Sequence, residues 1–446
     1  MTMDHRHHLT LSPEEREALN HIAAAGNAAK ARRARIILLT AEGHPQVAIA
    51  TQIGLSERQV RRWQRAFEVR RMDIFSPDRT AEAQVLPPTE TQDDLLPAEA
   101  EKPAKPKKQP KPAPAPPPGL AQPRRELKLL KSPGVRPDDP MSEAGRKILH
   151  YHFERMLLNE PGSRLGEDIE AVHDMRVATR RMRSALVIFE PFYQRKVIRP
   201  LARGLRRTAQ ALGAVRDMDV FLEKLALYQQ ELPPEAEDSL APLREVCQQQ
   251  RDAARSRLIK HLDSGSFARF VADFEAFLTT PGAGARPPSE AGPVAHQVRH
   301  VVPRLIYERY GAVRAYETVL DHASIQTLHA LRIDGKRLRY ALEFFVEVLG
   351  PEAGLVIEEV KTLQDHLGDL NDAEVAGNFL REFVSEHEKA QAAIQLGERR
   401  SIERVVQYMA HQFAEKHRLM ISFPEAWGRF NHREVRRALG LAVSAL

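Results

Sequence analysis

The sequence predicts an all-α protein, and three observations support this prediction. Long stretches without Gly or Pro carry apolar residues at helical spacing, as in 172–189 (VHDMRVATRRMRSALVIF). Alternating patterns typical of strands are nearly absent. The pattern of 172–189 also returns 156 residues later, at 328–350, which indicates an internal duplication. We therefore expect two helical bundles of about four helices each, preceded by a smaller helical module.

Residues 1–75 are predicted to form the small helical domain. Ser12 precedes a proline and two glutamates, which is the pattern of a helix start. Further helices are expected over 31–41, over 46–52 and, after a Gly-containing turn, from Ser56 onward. This arrangement resembles the homeodomain-like helix-turn-helix found at the front of some transposases. The alternative to DNA binding is a protein contact or scaffold. The DNA-binding residues that the resemblance implies are Ser56, Arg58, Gln59, Arg61, Arg62 and Arg65.

Residues 76–140 are predicted to be a disordered linker. Sixteen of the 31 prolines fall in this segment, with KPAKPKKQPKPAPAPPP at its centre. Such a composition cannot bury enough apolar surface to offset the loss of chain entropy on folding. Proline also favours extended polyproline conformations. We therefore expect an extended tether whose lysines add nonspecific attraction for polyanions.

The rest of the chain is predicted to form the two bundles, 141–280 and 281–446. In the first bundle, helices are expected over 142–159, 172–189, 199–225, 243–262 and 267–278. In the second bundle, helices are expected over 298–310, 328–349 and 356–380. A proline-containing break over 281–293 separates the two bundles.

The duplicated helix has a basic face opposite an apolar face. At about 100° per residue, the basic positions of the first copy lie within an arc of about 80°. These basic positions are His173, Arg176, Arg180 and Arg183, with Met175, Met182, Leu186 and Phe189 opposite. Their equivalents are His329, Arg332, Lys336 and Arg339, with Leu331, Leu338, Leu342 and Phe345 opposite. A core requires only the apolar set, so repetition of the basic set indicates that a binding surface was duplicated as well.

Positive charge is concentrated in the first bundle. The whole chain has a formal net charge of +6. Residues 172–216 hold eleven Arg or Lys against two carboxylates, a net charge of +9. The equivalent segment 328–372 holds five basic and nine acidic residues, a net charge of −4. We therefore expect the first bundle to dominate any attraction for polyanions.

The chain is expected to be cytoplasmic and to have no membrane partner. Cys247 is the single cysteine, which excludes an intramolecular disulfide and favours a reducing compartment. The N-terminus lacks the apolar core of a signal peptide, and no run of about 18 apolar residues could span a bilayer. The oligomeric state does not follow from the sequence.

Two motifs in each half carry a resemblance to a known family. The duplicated helices read His-x-x-Arg-x-x-x-Arg/Lys-Arg/Lys-x-Arg, and Leu-Gly-x-x-Arg/Asn-Asp follows at 212–217 and 367–372. This pairing resembles the CHAD family, the conserved-histidine α-helical domain, from about Ser142 to the C-terminus. The resemblance implies two four-helix bundles related by a pseudo-twofold, with a central groove or pore that binds inorganic polyphosphate. It implicates His173, Arg176, Arg180, Arg181, Arg183, Arg203, Arg206, Arg207, His329, Arg332, Lys336, Arg337, Arg339 and Lys361.

Two positions depart from this duplication, and the histidines leave several roles open. Glu358 and Thr362 stand where Arg203 and Arg207 have their counterparts, so weaker phosphate binding is expected in the second half. A histidine in these motifs could donate a hydrogen bond to phosphate, hold the structure together or bind a metal. Metal binding is disfavoured because the neighbours at i+3 and i+7 are cations. No metal or cofactor is predicted.

The sequence predicts a binding protein rather than an enzyme. It lacks the Walker sequence, G-x-S-x-G and H-E-x-x-H, and also the Glu-x-Glu-x-Lys of the triphosphatase domain that often accompanies CHAD domains. Asp217 and Asp372 are expected to orient arginines or cap helices. We therefore predict non-catalytic polyphosphate binding, at polyphosphate granules or the nucleoid, with a DNA-binding front module. The alternative is a DNA-binding transcription regulator that senses polyphosphate or a phosphorylated metabolite.

Overall fold

The structure is a computed structural model that describes residues 9–24, 28–53, 60, 63–64, 67, 71–72, 130–230, 232, 240–287 and 295–446. These residues fall into two compact units. The first lies within Met1–Gln84 and includes Leu165–Ala171, and the second lies within Val85–Arg164 and Val172–Leu446. The all-α prediction is confirmed. Over the described residues there are isolated bridges at Pro140–Gln297 and Tyr193–Ala285 but no β-strand.

The first unit contains three described helices, α1 (Pro13–Ala24), α2 (Ala28–Ala41) and α3 (Gln46–Ile53). Ser12 caps α1 as expected, because its Oγ accepts the Glu15 N–H at 3.1 Å and its own N–H donates to the Glu15 carboxylate at 2.9 Å. The apolar core of this unit includes the buried side chains of Leu19, Ile36, Ile37, Ile49, Val60 and Phe67. The six residues predicted to bind DNA lie outside the described residues.

The second unit is a helical domain with two halves of five described helices each. Five helices were expected by range in the first half and three in the second. The first half comprises α4 (Met141–Leu165), α5 (Ile169–Phe189), α6 (Arg195–Gln230), α7 (Ala241–Leu262) and α8 (Gly265–Thr279). The second half comprises α9 (Val298–Arg314), α10 (Ile325–Phe344), α11 (Ala353–Gln391), α12 (Glu403–Phe430) and α13 (Arg433–Val443). None of the described helices is both long and apolar enough to cross a lipid bilayer.

Helix α10 begins at a cap and ends earlier than the apolar periodicity predicts. The Oγ of Ser324 accepts the N–H of Thr327 at 3.1 Å and fixes the start. The expected end was Leu349, but Phe345 already leaves the helical conformation, with φ −113° and ψ 12°. The Gly350 N–H then donates to the Ala442 carbonyl at 2.8 Å. The segment after α10 therefore keeps Phe345 and Val348 buried while its backbone turns toward α13.

One hydrophobic core joins the two halves of the helical domain. The apolar faces of α5 and α10 both contribute to it, and their eight predicted core residues are each at most 4% exposed. Phe189 and Phe345, which are equivalent positions of the duplication, contact each other with ring centroids 5.9 Å apart. A residue that contacts its own equivalent lies next to the axis that relates two copies. The duplicated helices therefore meet at the centre of the domain.

Residues before the predicted linker boundary at 141 pack against the helical domain. Val135 is buried in the shared core. The backbone N–H groups of Gly134 and Val135 donate to the carboxylate of Glu347 at 3.3 and 2.9 Å. Lys147 reaches back to Asp139 at 2.7 Å. These contacts tie the end of the predicted linker to both halves, because one apolar side chain and satisfied backbone groups stabilise even a proline-containing segment.

Candidate functional site

Two basic side chains from opposite halves meet at one acidic residue. Nη2 of Arg181, on α5, lies 2.7 Å from Oε2 of Glu343, on α10. Nε of Arg339, also on α10, donates to Oε1 of the same carboxylate at 2.8 Å. Both guanidiniums also lie 5.9 Å from the ring centroid of Tyr340. One basic side chain from each duplicated helix therefore lies at this contact, and one carboxylate bridges the two helices.

Sequence reasoning missed Glu343, although it assigned both of its arginine partners to the site. The equivalent position in the first half is Val187, so the duplication gave no signal for a carboxylate there. Only the packing of α5 against α10 shows that position 343 faces the other copy. Because Arg181 and Arg339 both bind Glu343, each has a structural contact in addition to any contact with a ligand.

The remaining predicted residues of α5 are half-buried rather than fully exposed. Nη2 of Arg176 lies 3.6 Å from Oδ1 of Asp217, as expected for an aspartate that orients an arginine. Nε of Arg180 is buried and has no hydrogen-bond partner among the described residues. A guanidinium nitrogen without a partner is costly to bury, so Arg180 favours an anionic group nearby.

Helix α6 presents three predicted arginines to solvent. Arg203, Arg206 and Arg207 are all exposed, while Leu205 and Thr208, which lie beside them in sequence, are buried. Burial lowers the pKa of His261, and the cationic Arg207 lowers it further. A ligand can therefore reach the arginines of α6 from solvent without a rearrangement of the fold.

Several predicted cations of α10 either bind side chains of their own half or are buried. Nη1 of Arg337 donates to Oδ1 of Asp334 at 2.8 Å. Nη1 of Arg339 donates to Oε1 of Gln364 at 3.1 Å. Lys336 is only 8% exposed. The expectation of weaker phosphate binding in the second half agrees with these contacts and stays a prediction.

The corresponding surface of α11 carries carboxylates beside its cations. Lys361 and Glu358, the residue that stands in the place of an arginine, form an exposed ion pair at 3.2 Å. Asp372, the second repeated aspartate, pairs with Lys224 at 3.1 Å. Burial raises the pKa of Asp369, and the carboxylates of Asp372, Asp365 and Glu415 raise it further, against the effect of Lys224. This surface repels polyanions relative to α6.

One motif histidine has a clear structural contact. The Nδ1–H of His329 donates to Oδ1 of Asn371 at 3.0 Å. Since His329 belongs to the first motif and Asn371 to the Leu-Gly motif, this bond connects the two motifs of the second half. It also orients the imidazole ring, so that Nε2 is the ring nitrogen on the side away from Asn371.

The other motif histidine has carboxylates close by on its own helix. The potential ligand atoms of Glu170, His173 and Asp174 lie within 4.8 Å of one another. Glu170 and Asp174 lie at positions i−3 and i+1 from His173. The sequence argument against a metal considered the cations at i+3 and i+7, and so it missed these two carboxylates. At the equivalent positions beside His329 the chain has Gln326 and Ala330. This acidic grouping is therefore not part of the duplicated surface.

Family comparisons match both units of the chain. Residues 147–381 match the CHAD domain, and residues 27–72 match the Homeodomain-like domain. The curated relatives are an uncharacterized protein of Mycobacterium tuberculosis in two strains, MT2285 (CDC 1551 / Oshkosh) and Rv2226 (ATCC 25618 / H37Rv). Each is 30% identical over 261 residues, which cover 56% of this chain and 47% of the relative. The chain thus spans about half the length of the curated relatives it matches.

A solved structure has the same fold as the helical domain. The crystal structure of the CHAD domain from the plant Ricinus communis matches with a TM-score of 0.52 and 24% sequence identity. The match covers 71% of this chain and 99% of the plant chain. Likeness at this level of identity shows the fold alone.

Proposed function

Because the chain belongs to the CHAD domain family, we propose that its helical domain binds inorganic polyphosphate without catalysing a reaction. The observation that carries the proposal is the meeting of two duplicated basic helices, where Arg181 and Arg339 from opposite halves flank Tyr340. A linear polyphosphate offers regularly spaced negative charges and no base edges, so its recognition rests on phosphate contacts. Arginine suits such contacts because its planar guanidinium can bridge two phosphate oxygens.

The proposed binding surface runs from α5 onto α6. Arg176, Arg180 and Arg183 supply half-buried charge, and the three arginines of α6 supply exposed charge. The acidic partners on α10 and α11 make the second half the weaker contributor. In the cell, such a surface would place the protein at polyphosphate granules or at the nucleoid.

The exposed arginines of α6 provide the test. We expect a variant with Arg203→Gln, Arg206→Gln and Arg207→Gln to bind long-chain polyphosphate more weakly and with less salt dependence. The slope of log affinity against log salt should fall by about 2–3, because each phosphate that a cation neutralises accounts for roughly 0.7–0.9 of the slope. Equilibrium titrations at several salt concentrations measure this slope.

A matched control separates a site from general charge. Arg244, Arg257 and Arg269 are exposed on α7 and α8, and their replacement by Gln removes the same three charges. This control should keep nearly the wild-type slope. Equal losses of affinity in the two triple variants, with unchanged circular dichroism, would refute a localised site on α6.

The homeodomain-like match favours a second function, DNA binding by the first unit. We propose that Ser56, Arg58, Gln59, Arg61, Arg62 and Arg65 contact DNA. In a gel-shift assay with the full chain, replacing Arg61, Arg62 and Arg65 by Gln should weaken binding to duplex DNA at least tenfold. Binding that prefers one selected sequence and responds to added polyphosphate would favour the transcription-regulator alternative. Wild-type affinity in the triple variant would contradict DNA contact by this helix.

A further inference from the structure

A small pocket lies where the two duplicated helices meet. It is lined by Ser184, Val187 and Ile188 of α5, Arg309 of α9, and Lys336, Arg337 and Tyr340 of α10. Ser184 and Tyr340 are equivalent positions of the duplication. Like the contact of Phe189 with Phe345, their presence in one pocket places it beside the axis that relates the halves.

The lining of this pocket is cationic on one side. Arg309, Lys336 and Arg337 bring three positive charges, and Asp334 pairs with Arg337. Lys336 is 8% exposed, so most of this residue is shielded from bulk water. Charge-assisted hydrogen bonds formed in such surroundings are stronger than those formed in water.

An unpaired hydroxyl faces these cations from the other helix. Ser184 is 5% exposed, and its Oγ has no hydrogen-bond partner among the described residues. Buried polar atoms normally have hydrogen-bond partners, and a buried hydroxyl without one is an exception that a bound ligand would explain. A ligand oxygen in the pocket would supply that partner.

The size of the pocket limits what can enter it. Its volume is about 10 Å³, roughly the room for one water-sized group. One oxygen of a phosphoryl group fits that space, and the rest of the group would then lie at the mouth. A polymer chain cannot pass through.

We propose that this pocket binds one terminal phosphoryl group, an inference that rests on the polyphosphate-binding function proposed above. A terminal phosphoryl resembles a phosphate monoester and carries a charge near −2 at neutral pH, whereas an internal phosphate carries about −1. The three cations, less the charge of Asp334, leave a net charge of +2, which favours the doubly charged group. Arg309, which was absent from the sequence-predicted site, becomes a binding residue. The terminal phosphoryl could come from the end of a polyphosphate chain or from a small phosphate compound.

The test compares polyphosphate of one length with free ends against the same polymer with both ends blocked as phosphoramidates. We expect the wild-type chain to bind the free-ended polymer about tenfold more tightly, the scale of one charge-assisted hydrogen bond. Arg309→Met should remove this preference. The control is Arg304→Met, on the same helix, whose side chain is 84% exposed and paired with Glu308; it should keep the preference.

A second variant tests the pocket in case Arg309→Met fails to fold. Ser184→Ala removes only the unpaired hydroxyl, so the thermal midpoint should be retained while the preference for free ends falls. A wild-type chain that binds both polymers equally would overturn the pocket and leave the polyphosphate function standing. A preference that survives Arg309→Met and Ser184→Ala would also overturn it.

Pyrophosphate distinguishes the two sources of the terminal group. Pyrophosphate binding that is weakened by Arg309→Met but not by Arg304→Met would support the pocket as a site for small phosphate compounds. If polyphosphate then failed to bind at all, the proposed function would fail and the pocket would stand. If pyrophosphate bound equally to all variants and free ends gave no advantage, the pocket would be refuted.

Discussion

At the scale of single residues, the side chains that sequence reasoning grouped together separate into different roles. Arg203 and Arg207 are exposed, Arg181 and Arg339 share Glu343, and Lys336 is buried. The family resemblance implicated all five as cations that contact the ligand. It could not predict which cations would be neutralised, because the neutralising carboxylate comes from a contact between two helices.

His152 gives a residue-scale prediction about pH. Burial lowers its pKa to about 3, and the cations Arg181 and Arg155 contribute in the same direction. Between about pH 6.5 and pH 3, the unfolded chain binds a proton at His152 that the folded protein excludes. Stability should therefore fall as the pH falls, by at most about 1.4 kcal/mol per pH unit from this group. Urea unfolding at pH 7, 6, 5 and 4 measures the dependence.

Replacement of this histidine separates its contribution from that of other groups. In His152→Gln the unfolding free energy should decrease less steeply between pH 6 and pH 4 than in the wild type. His300→Gln, an exposed histidine on α9, should leave the wild-type slope. If both variants retained the same slope as the wild type, His152 would not be the group responsible.

At the scale of elements, helix positions followed from the sequence better than helix ends did. The predicted helix over 172–189 is observed as Ile169–Phe189, and the one over 243–262 as Ala241–Leu262. Periodicity identifies such helices because their buried faces repeat every three to four residues. The predicted end of α10 was wrong by five residues, because the backbone leaves the helical conformation at Phe345 although the apolar pattern continues.

Two glycines in long helices should respond in opposite ways to alanine. A Cβ on Gly204 of α6 would lie 2.7 Å from Cγ of Phe270, and one on Gly368 of α11 would meet nothing within 4 Å. Gly204→Ala should therefore destabilise the fold by about 1–3 kcal/mol through overpacking. Gly368→Ala should stabilise it by up to about 1 kcal/mol, the gain in helix propensity.

Chemical denaturation of the two glycine variants checks both signs. The two variants can be compared directly, because each change adds one methyl group to the interior of a helix. A stabilised Gly204→Ala variant would show that the ring of Phe270 moves aside at little cost. The close packing of α6 on α8 would then not depend on this glycine.

At the scale of the whole molecule, the sequence predicted the all-α class, the duplication and the basic helices. Two features of the packing could not be predicted from the sequence. Arg309 and Ser184 carry no motif, and they belong to one pocket only because α9 and α5 both approach α10. Likewise, Val135 sits among prolines that predicted a linker, but it is buried in the core. Both depend on long-range packing, which local patterns do not encode.

The contact between Phe189 and Phe345 bears on how the two copies can diverge. Each ring is part of the other's surroundings, so a substitution at either position changes the seam for both copies at once. At other positions the copies already differ, as Glu358 and Thr362 do from their arginine counterparts. After an ancestral gene duplication, the two copies could therefore diverge separately at other positions, whereas a change at Phe189 or Phe345 affects both copies.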